Sequence, residues 1–181
     1  LETDLWLDTA LERDLPQTSL VRLYSYVIRS LNFLSRRQHE QNIAYCRSIE
    51  SVVHQFGDAF LNGSLCANLA TSLKDVSDNH KALAYFSLAR TYFESAKHRS
   101  YLGLVENNLA LLHMNEGNYL LAHESVDAAI SIYKKLKDKT REGSSLETKA
   151  QICLAEKQPE AALSYADRSI TVLRKSENMA Y

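Results

Sequence analysis

Proline occurs twice in 181 residues, glycine five times and tryptophan once. So little punctuation excludes a fold of many tight turns and favours long helices. The net charge is −1, without the clustered positive charge that a phosphate-backbone binder needs. No run approaches the roughly 18 apolar residues that cross a bilayer, and no signal peptide opens the chain. Direct nucleic-acid binding and membrane insertion are therefore not expected. The three cysteines, Cys46, Cys66 and Cys153, are odd in number and widely spaced, neither a disulfide framework nor a zinc pattern. Each falls in a helical pattern as a small hydrophobe, which fits a reducing, cytoplasmic setting.

What is present is an ordinary globular composition, 45% apolar and 24% charged, arranged with an internal period. The stretch NNLALLHMNEGNYLLAHESVDAAISIY, from Asn107 to Tyr133, holds two helical patterns broken once, at NEGN. Ala122, in the second pattern, is matched at 40-residue steps by Asn42, Ala82 and Ala162. Twelve residues before each of these stand Ser30, Ala70, Ala110 and Ala150, all small. Gly63, Gly103 and Gly143 follow the same 40-residue step, near the entrance to the first helix of a pair.

The unit is thus a helix, a tight turn and an antiparallel helix. The first helices are expected near 18–36, 58–76, 99–115 and 140–156, and the second near 39–55, 80–96, 119–136 and 160–175. RRQH, SDNH, NEGN and KQP are the turns. Gly117 suits a left-handed helix end and Pro159 a helix start. A single hairpin cannot bury its apolar face, so neighbours must stack. Small residues allow close helix crossings, with Phe33, Leu69, Leu73, Phe86, Leu109 and Val126 filling the space around them. Late in the second helices, Val52, Tyr92, Ile132 and Val172 share one register and are expected in the core.

This pattern resembles the tetratricopeptide repeat in its longer, 40-residue form. The helix motif reads GSLCANLA at Gly63–Ala70 and GLVENNLA at Gly103–Ala110, and departs to GSSLETKA at Gly143–Ala150 and LYSYVIRS at Leu23–Ser30. The resemblance implies an all-α fold, an α-α superhelix of about four helix-turn-helix repeats at 17–56, 57–97, 98–137 and 138–181. Residues 1–16 then read as an N-terminal half repeat or cap, with Trp6 in second-helix register and Pro16 ending it. The final helix carries Leu163, Ile170 and Leu173 with no successor to cover them, and SENMAY reads as the start of another helix. We expect the chain to be a fragment of a longer protein.

The resemblance also implies a non-enzymatic, protein- or peptide-binding scaffold, the sensory or interaction domain of a regulatory protein. Its first helices would line a concave groove. In similar repeats of kinesin light chains and bacterial peptide-pheromone receptors, inner-face asparagines read a peptide backbone. That role carries over to Asn68 and Asn108, with Thr148 at the same register and Asn107 beside it. One turn on stand Thr71, Leu111 and Gln151, then Lys74 and Met114. Asparagine suits the task because it both donates and accepts. The two-lysine, two-asparagine, one-arginine clamp of chaperone-binding relatives is not recognisable. An alternative function is oligomerisation through the solenoid ends.

Chemistry is sparse. There is no glycine-rich phosphate loop, HExxH or GxSxG, so neither a cofactor nor a catalytic residue is expected. His113 takes a packing position filled elsewhere by Phe33, Leu73 and Cys153. His113 and His123 flank one turn but lack a third ligand, so no metal site is expected. The basic stretch KKLKDKTR, Lys134–Arg141, suits a helix C-terminus.

Overall fold

A computed structural model of the chain describes residues 19–177. The expected half repeat at 1–16, with Trp6 and Pro16, and the end of SENMAY lie outside the described residues. Among these, every regular element is a helix: α1 (Leu20–Ser35), α2 (His39–Phe56), α3 (Ala59–Asp75), α4 (Asn79–Ser95), α5 (Arg99–Asn115), α6 (Tyr119–Leu136), α7 (Lys139–Ala155) and α8 (Pro159–Glu177). Their bounds follow the 40-residue period closely. The chain divides into two compact units between Lys97 and His98. Unit 1 holds α1 to α4. There α3 packs against α1, α2 and α4. Unit 2 holds α5 to α8, with α7 packed in the same way against α5, α6 and α8.

Local chemistry sets the helix ends. Asp58 accepts the Leu61 amide at 2.8 Å and Asp138 that of Arg141 at 3.0 Å, each satisfying an orphan donor of the first turn. The ends of the odd-numbered helices share one device. Arg37, Ser77, Gly117 and Lys157 all take positive φ, 56° to 75°. The next amide reaches back five residues, as from Gln38 to Phe33 and from Asn118 to His113 at 2.9 and 2.8 Å. This is the Schellman closure. Gly117 does what its position implied. At the other three positions a side chain tolerates a backbone that ordinarily favours glycine.

The small positions lie in the core. Ser30, Ala70 and Ala110 are fully buried, as are Asn42, Ala82 and Ala122. The other glycines have a more specific task than marking helix entrances. A Cβ on Gly63 would lie 2.9 Å from the Phe93 ring, on Gly103 2.8 Å from the Tyr133 ring, and on Gly143 2.6 Å from Leu173. Each glycine seats the large residue thirty positions on, in the second helix of its own repeat. In the first repeat the sizes are reversed at this register: Leu23 stands where glycine recurs and is matched by Val53, both fully buried.

This corrects one expectation. The late second-helix residues that fill the core are Val53, Phe93 and Tyr133, one position beyond Val52, Tyr92 and Ile132. Those three, like Phe33, are half-buried. The glycine seat fixes the register, because a ring or branched side chain lies over it only from the residue pointing straight at it.

The two units differ inside. In unit 1, the Ser30 hydroxyl donates to Asn42 Oδ1 at 2.8 Å. Asn42 Nδ2 donates to Ser72 Oγ at 2.9 Å and to the Asn68 carbonyl at 3.3 Å. The Cys46 thiol also donates to Asn42 Oδ1, at 3.4 Å. All four hydrogen-bonding sites of this buried amide are used. Eighty residues on, Ser30, Asn42, Cys46 and Ser72 become Ala110, Ala122, Val126 and Ile152, which form one buried apolar cluster in unit 2. The same four sites are a polar network in one unit and hydrocarbon in the other.

Candidate functional site

The residues expected to line a groove fall on three helices. On α3, Asn68 is 8% exposed and its amide nitrogen has no hydrogen-bond partner among the described residues. Thr71 Oγ1 donates to its own helix at Ala67, 2.8 Å away, and Lys74 stands 3.9 Å from Asp75. On α5, Asn108 Nδ2 donates to the Leu104 carbonyl at 3.0 Å. Asn107 is half-buried, and its carbonyl oxygen accepts no hydrogen bond among the described residues. Leu111 is half-buried, and Met114 packs against the apolar cluster of unit 2. On α7, Thr148 is buried and bonds back to Ser144 at 3.2 Å, while Gln151 is exposed. Unit 2 therefore brings Asn107, Asn108, Leu111, Met114, Thr148 and Gln151 onto two adjacent helices, α5 and α7. Leu104 and Leu154, 42% and 63% exposed, extend that apolar character. Asn68, Thr71 and Lys74 belong to unit 1. The hydroxyls and the Asn108 amide are all held by i−4 carbonyls, so a ligand would compete with the helix for them.

A second feature gives no signal to motif reading. In unit 1 a cleft of about 490 Å³ opens between α2, α3 and α4. Leu65, Leu88, Cys66 and Tyr92 form apolar wall, and Arg47, Glu50, Ser51, His54 and Asn62 supply the polar atoms. Tyr92 Oη stands 3.3 Å from His54 Nδ1. Tyr85, on the same face of α4 as Leu88 and Tyr92, lies within the electrostatic reach of Glu50. Burial raises the titration of Tyr85 and Tyr92 above the usual phenol value, and the Glu50 carboxylate adds to this. Burial pushes the Cys66 thiol up to about 12 and Cys46 to about 11. Cys153 is shifted the same way, again mainly by burial. All three thiols are buried and not disulfide-bonded. They are poor nucleophiles, since the thiolate is the reactive form.

Histidines act as clips. His123 Nε2 lies 2.7 Å from Glu156, and His39 Nδ1 3.5 Å from Asp75. Among the described residues no group of three or more His, Cys, Asp or Glu is placed to hold a metal ion. Nor is any described helix long and apolar enough to cross a membrane.

Comparison with known proteins agrees with this geometry. Residues 101–175 match the family model described as tetratricopeptide repeat. No curated protein matches the sequence. Among solved structures, BtubC (BKLC) from P. vanneervenii is similar with a TM-score of 0.81 at 15% identity, over 97% of this chain and 72% of that one. A Podosopora anserina putative kinesin light chain with nearly identical TPR-like repeats (Q17M form) gives 0.74 at 13% identity, over 97% and 85%. Rap protein complexed with competence and sporulation factor gives 0.69 at 16%, over 96% and 57%. The chain therefore has an all-α, tetratricopeptide-like repeat fold, and its residues 101–175 match the tetratricopeptide repeat family itself.

Proposed function

We propose that this chain is a non-enzymatic binding module that receives an extended peptide or partner helix on the α5–α7 face of unit 2, and that it serves as the cytoplasmic sensory or interaction part of a regulatory protein. The observation that carries the reading is the α5–α7 face of unit 2. Leu104 and Leu154 are left largely exposed there, around Asn108 and Gln151. Apolar anchors alternating with amides suit a peptide, whose side chains and backbone need both. The fold is shared with Rap protein, which is complexed with competence and sporulation factor, and repeats of this kind serve as interaction scaffolds.

The test is a peptide-library pull-down followed by calorimetry. Asn108→Ala should weaken the best peptide by about 2- to 10-fold, one hydrogen bond's worth of roughly 0.5–1.5 kcal/mol. Equal affinity of the Asn108→Ala variant and the parent would remove the assignment.

A second reading, oligomerisation, is favoured by α8, where Leu163 and Ile170 are 64% and 48% exposed. Leu173 does not join them, since it covers Gly143. Self-association in sedimentation that is abolished by Leu163→Glu would support this reading over peptide binding.

A further inference from the structure

Three tyrosines occupy one register of the second helices: Tyr45, Tyr85 and Tyr165. Two of them carry a cation from their own chain. The Arg29 guanidinium lies 6.0 Å from the Tyr45 ring centre. Over Tyr165 stand both the Lys149 ammonium and the Arg168 guanidinium, each at 5.0 Å. A carboxylate completes that arrangement, because Lys149 is also paired with Asp127. Such stacking is favourable, since the ring face is electron-rich.

Tyr85 departs from this. Eighty residues separate it from Tyr165, and at that spacing Lys149 becomes Leu69, Arg168 becomes Leu88 and Asp127 becomes Arg47. No cation lies over the Tyr85 ring among the described residues. A carboxylate is still present, supplied by Glu50, which lines the neighbouring cleft and acts electrostatically on Tyr85. Beside this pair lies the cleft walled by Leu65, Leu88 and Tyr92. At Tyr85 the chain thus keeps a ring and an acid, lacks the cation found at Tyr45 and Tyr165, and leaves an apolar-sided cleft next to them.

We propose that this cleft is a docking site for a lysine or arginine side chain of a protein partner, its alkyl stem against Leu65, Leu88 and Tyr92 and its cationic head on the Glu50 carboxylate and the Tyr85 ring. Long basic side chains combine an apolar stem with a charged tip, which matches the two halves of the cleft. Arg47, exposed at the mouth, is a like charge that tunes the affinity downward. The site is separate from the faces invoked above for peptide binding, as it lies between α2, α3 and α4 and uses neither Asn68 nor any residue of unit 2.

The test is a titration of the ¹⁵N-labelled chain with capped leucine–arginine–leucine and leucine–lysine–leucine tripeptides, with leucine–norleucine–leucine as the uncharged control. Saturable shifts are expected at the amides of residues 47–54 and 85–92. Norleucine in the tripeptide, or Glu50→Gln in the protein, should weaken binding about 10-fold or more, as expected for loss of a charge-assisted contact. Glu50 is only half-buried and glutamine has its shape, so the fold should be undisturbed, and the norleucine arm needs no mutation at all. Tyr85→Phe should retain binding and Arg47→Ala should tighten it. The proposal fails if neither basic tripeptide gives saturable shifts in these segments, if the norleucine tripeptide binds equally well, or if Glu50→Gln leaves the affinity unchanged. Shifts confined to α5 and α7 would likewise overturn it, while favouring the peptide face of unit 2.

Discussion

Units 1 and 2 superimpose in sequence by a shift of 80 residues, yet they solve the same crossing differently. In unit 1, Ser30, Asn42, Cys46 and Ser72 close a network around one amide. In unit 2, Ala110, Ala122, Val126 and Ile152 simply exclude water. A repeat fold needs a small, complementary set at the crossing and does not specify its polarity. The two solutions differ in tolerance. An apolar cluster accepts volume-conserving change, whereas a polar network must be satisfied completely or removed completely.

That difference can be broken from either side. Placing the amide where no partner exists, as Ala122→Asn, should be the most damaging single change. It combines an unsatisfied buried polar group with overpacking, about 3–5 kcal/mol in all. Its mirror image, Asn42→Ala, strands the buried Ser72 hydroxyl, leaves Ser30 only its contact with Cys46 Sγ at 3.2 Å, and should cost about 1–3 kcal/mol. Denaturant titrations followed by a probe in each unit would rank the two.

Cys46 supplies a pH test. Burial raises its thiol from 9.0 to about 11, so the folded state disfavours the thiolate relative to the unfolded chain. The stability this represents is complete below pH 9 and is lost as pH rises toward 11. Unit 1 should weaken by about 1–2 kcal/mol across that window, since each tenfold difference in proton affinity between folded and unfolded chain is worth about 1.4 kcal/mol. Cys46→Val, which installs the residue found in unit 2, should reduce the loss. An unchanged pH profile in that variant would exclude the thiol as the cause.

The smallest expected effect lies at the turns. Gly117 and Ser77 occupy the same left-handed position of successive repeats. Ser77→Gly should stabilise unit 1 by up to about 1 kcal/mol, the strain of a side chain there less the entropy that glycine adds to the unfolded chain. A lower melting midpoint for the variant would contradict this.

Much of this is legible in the sequence, for identifiable reasons. Helix spans follow from the 40-residue step because Ser30, Ala70, Ala110 and Ala150 mark the crossings, and all are buried. The turn at Gly117 is legible because few residues tolerate its backbone. The late second-helix register comes out one position early because both candidates in each pair, such as Tyr92 and Phe93, are apolar. What separates them is that Phe93 lays its ring against Gly63, where Tyr92 brings only its Cβ. Asn42 stands out as the exception among alanines, but its role depends on Ser72, thirty residues away in another repeat. The cleft leaves no sequence signal for a similar reason, since Glu50, Leu65 and Tyr92 come from three helices. The peptide-face residues are placed by register alone. Register gives a face of a helix and not its depth, and Asn68 and Thr148 prove to be buried.

Native-state hydrogen exchange on Asn42→Ala, compared with the fourfold exchange Ser30→Ala, Asn42→Ala, Cys46→Val and Ser72→Ile, tests most directly whether the crossing of unit 1 is held by a satisfied network. The method reads the opening free energy of each unit separately. The single change should lower the protection of α1 to α4 and leave α5 to α8 unaltered. The fourfold change, which converts the set to that of unit 2, should restore protection to within about 1 kcal/mol of the parent, because removing every polar partner together strands none. If the fourfold variant is as destabilised as the sum of its single changes, the two units do not share one interchangeable crossing.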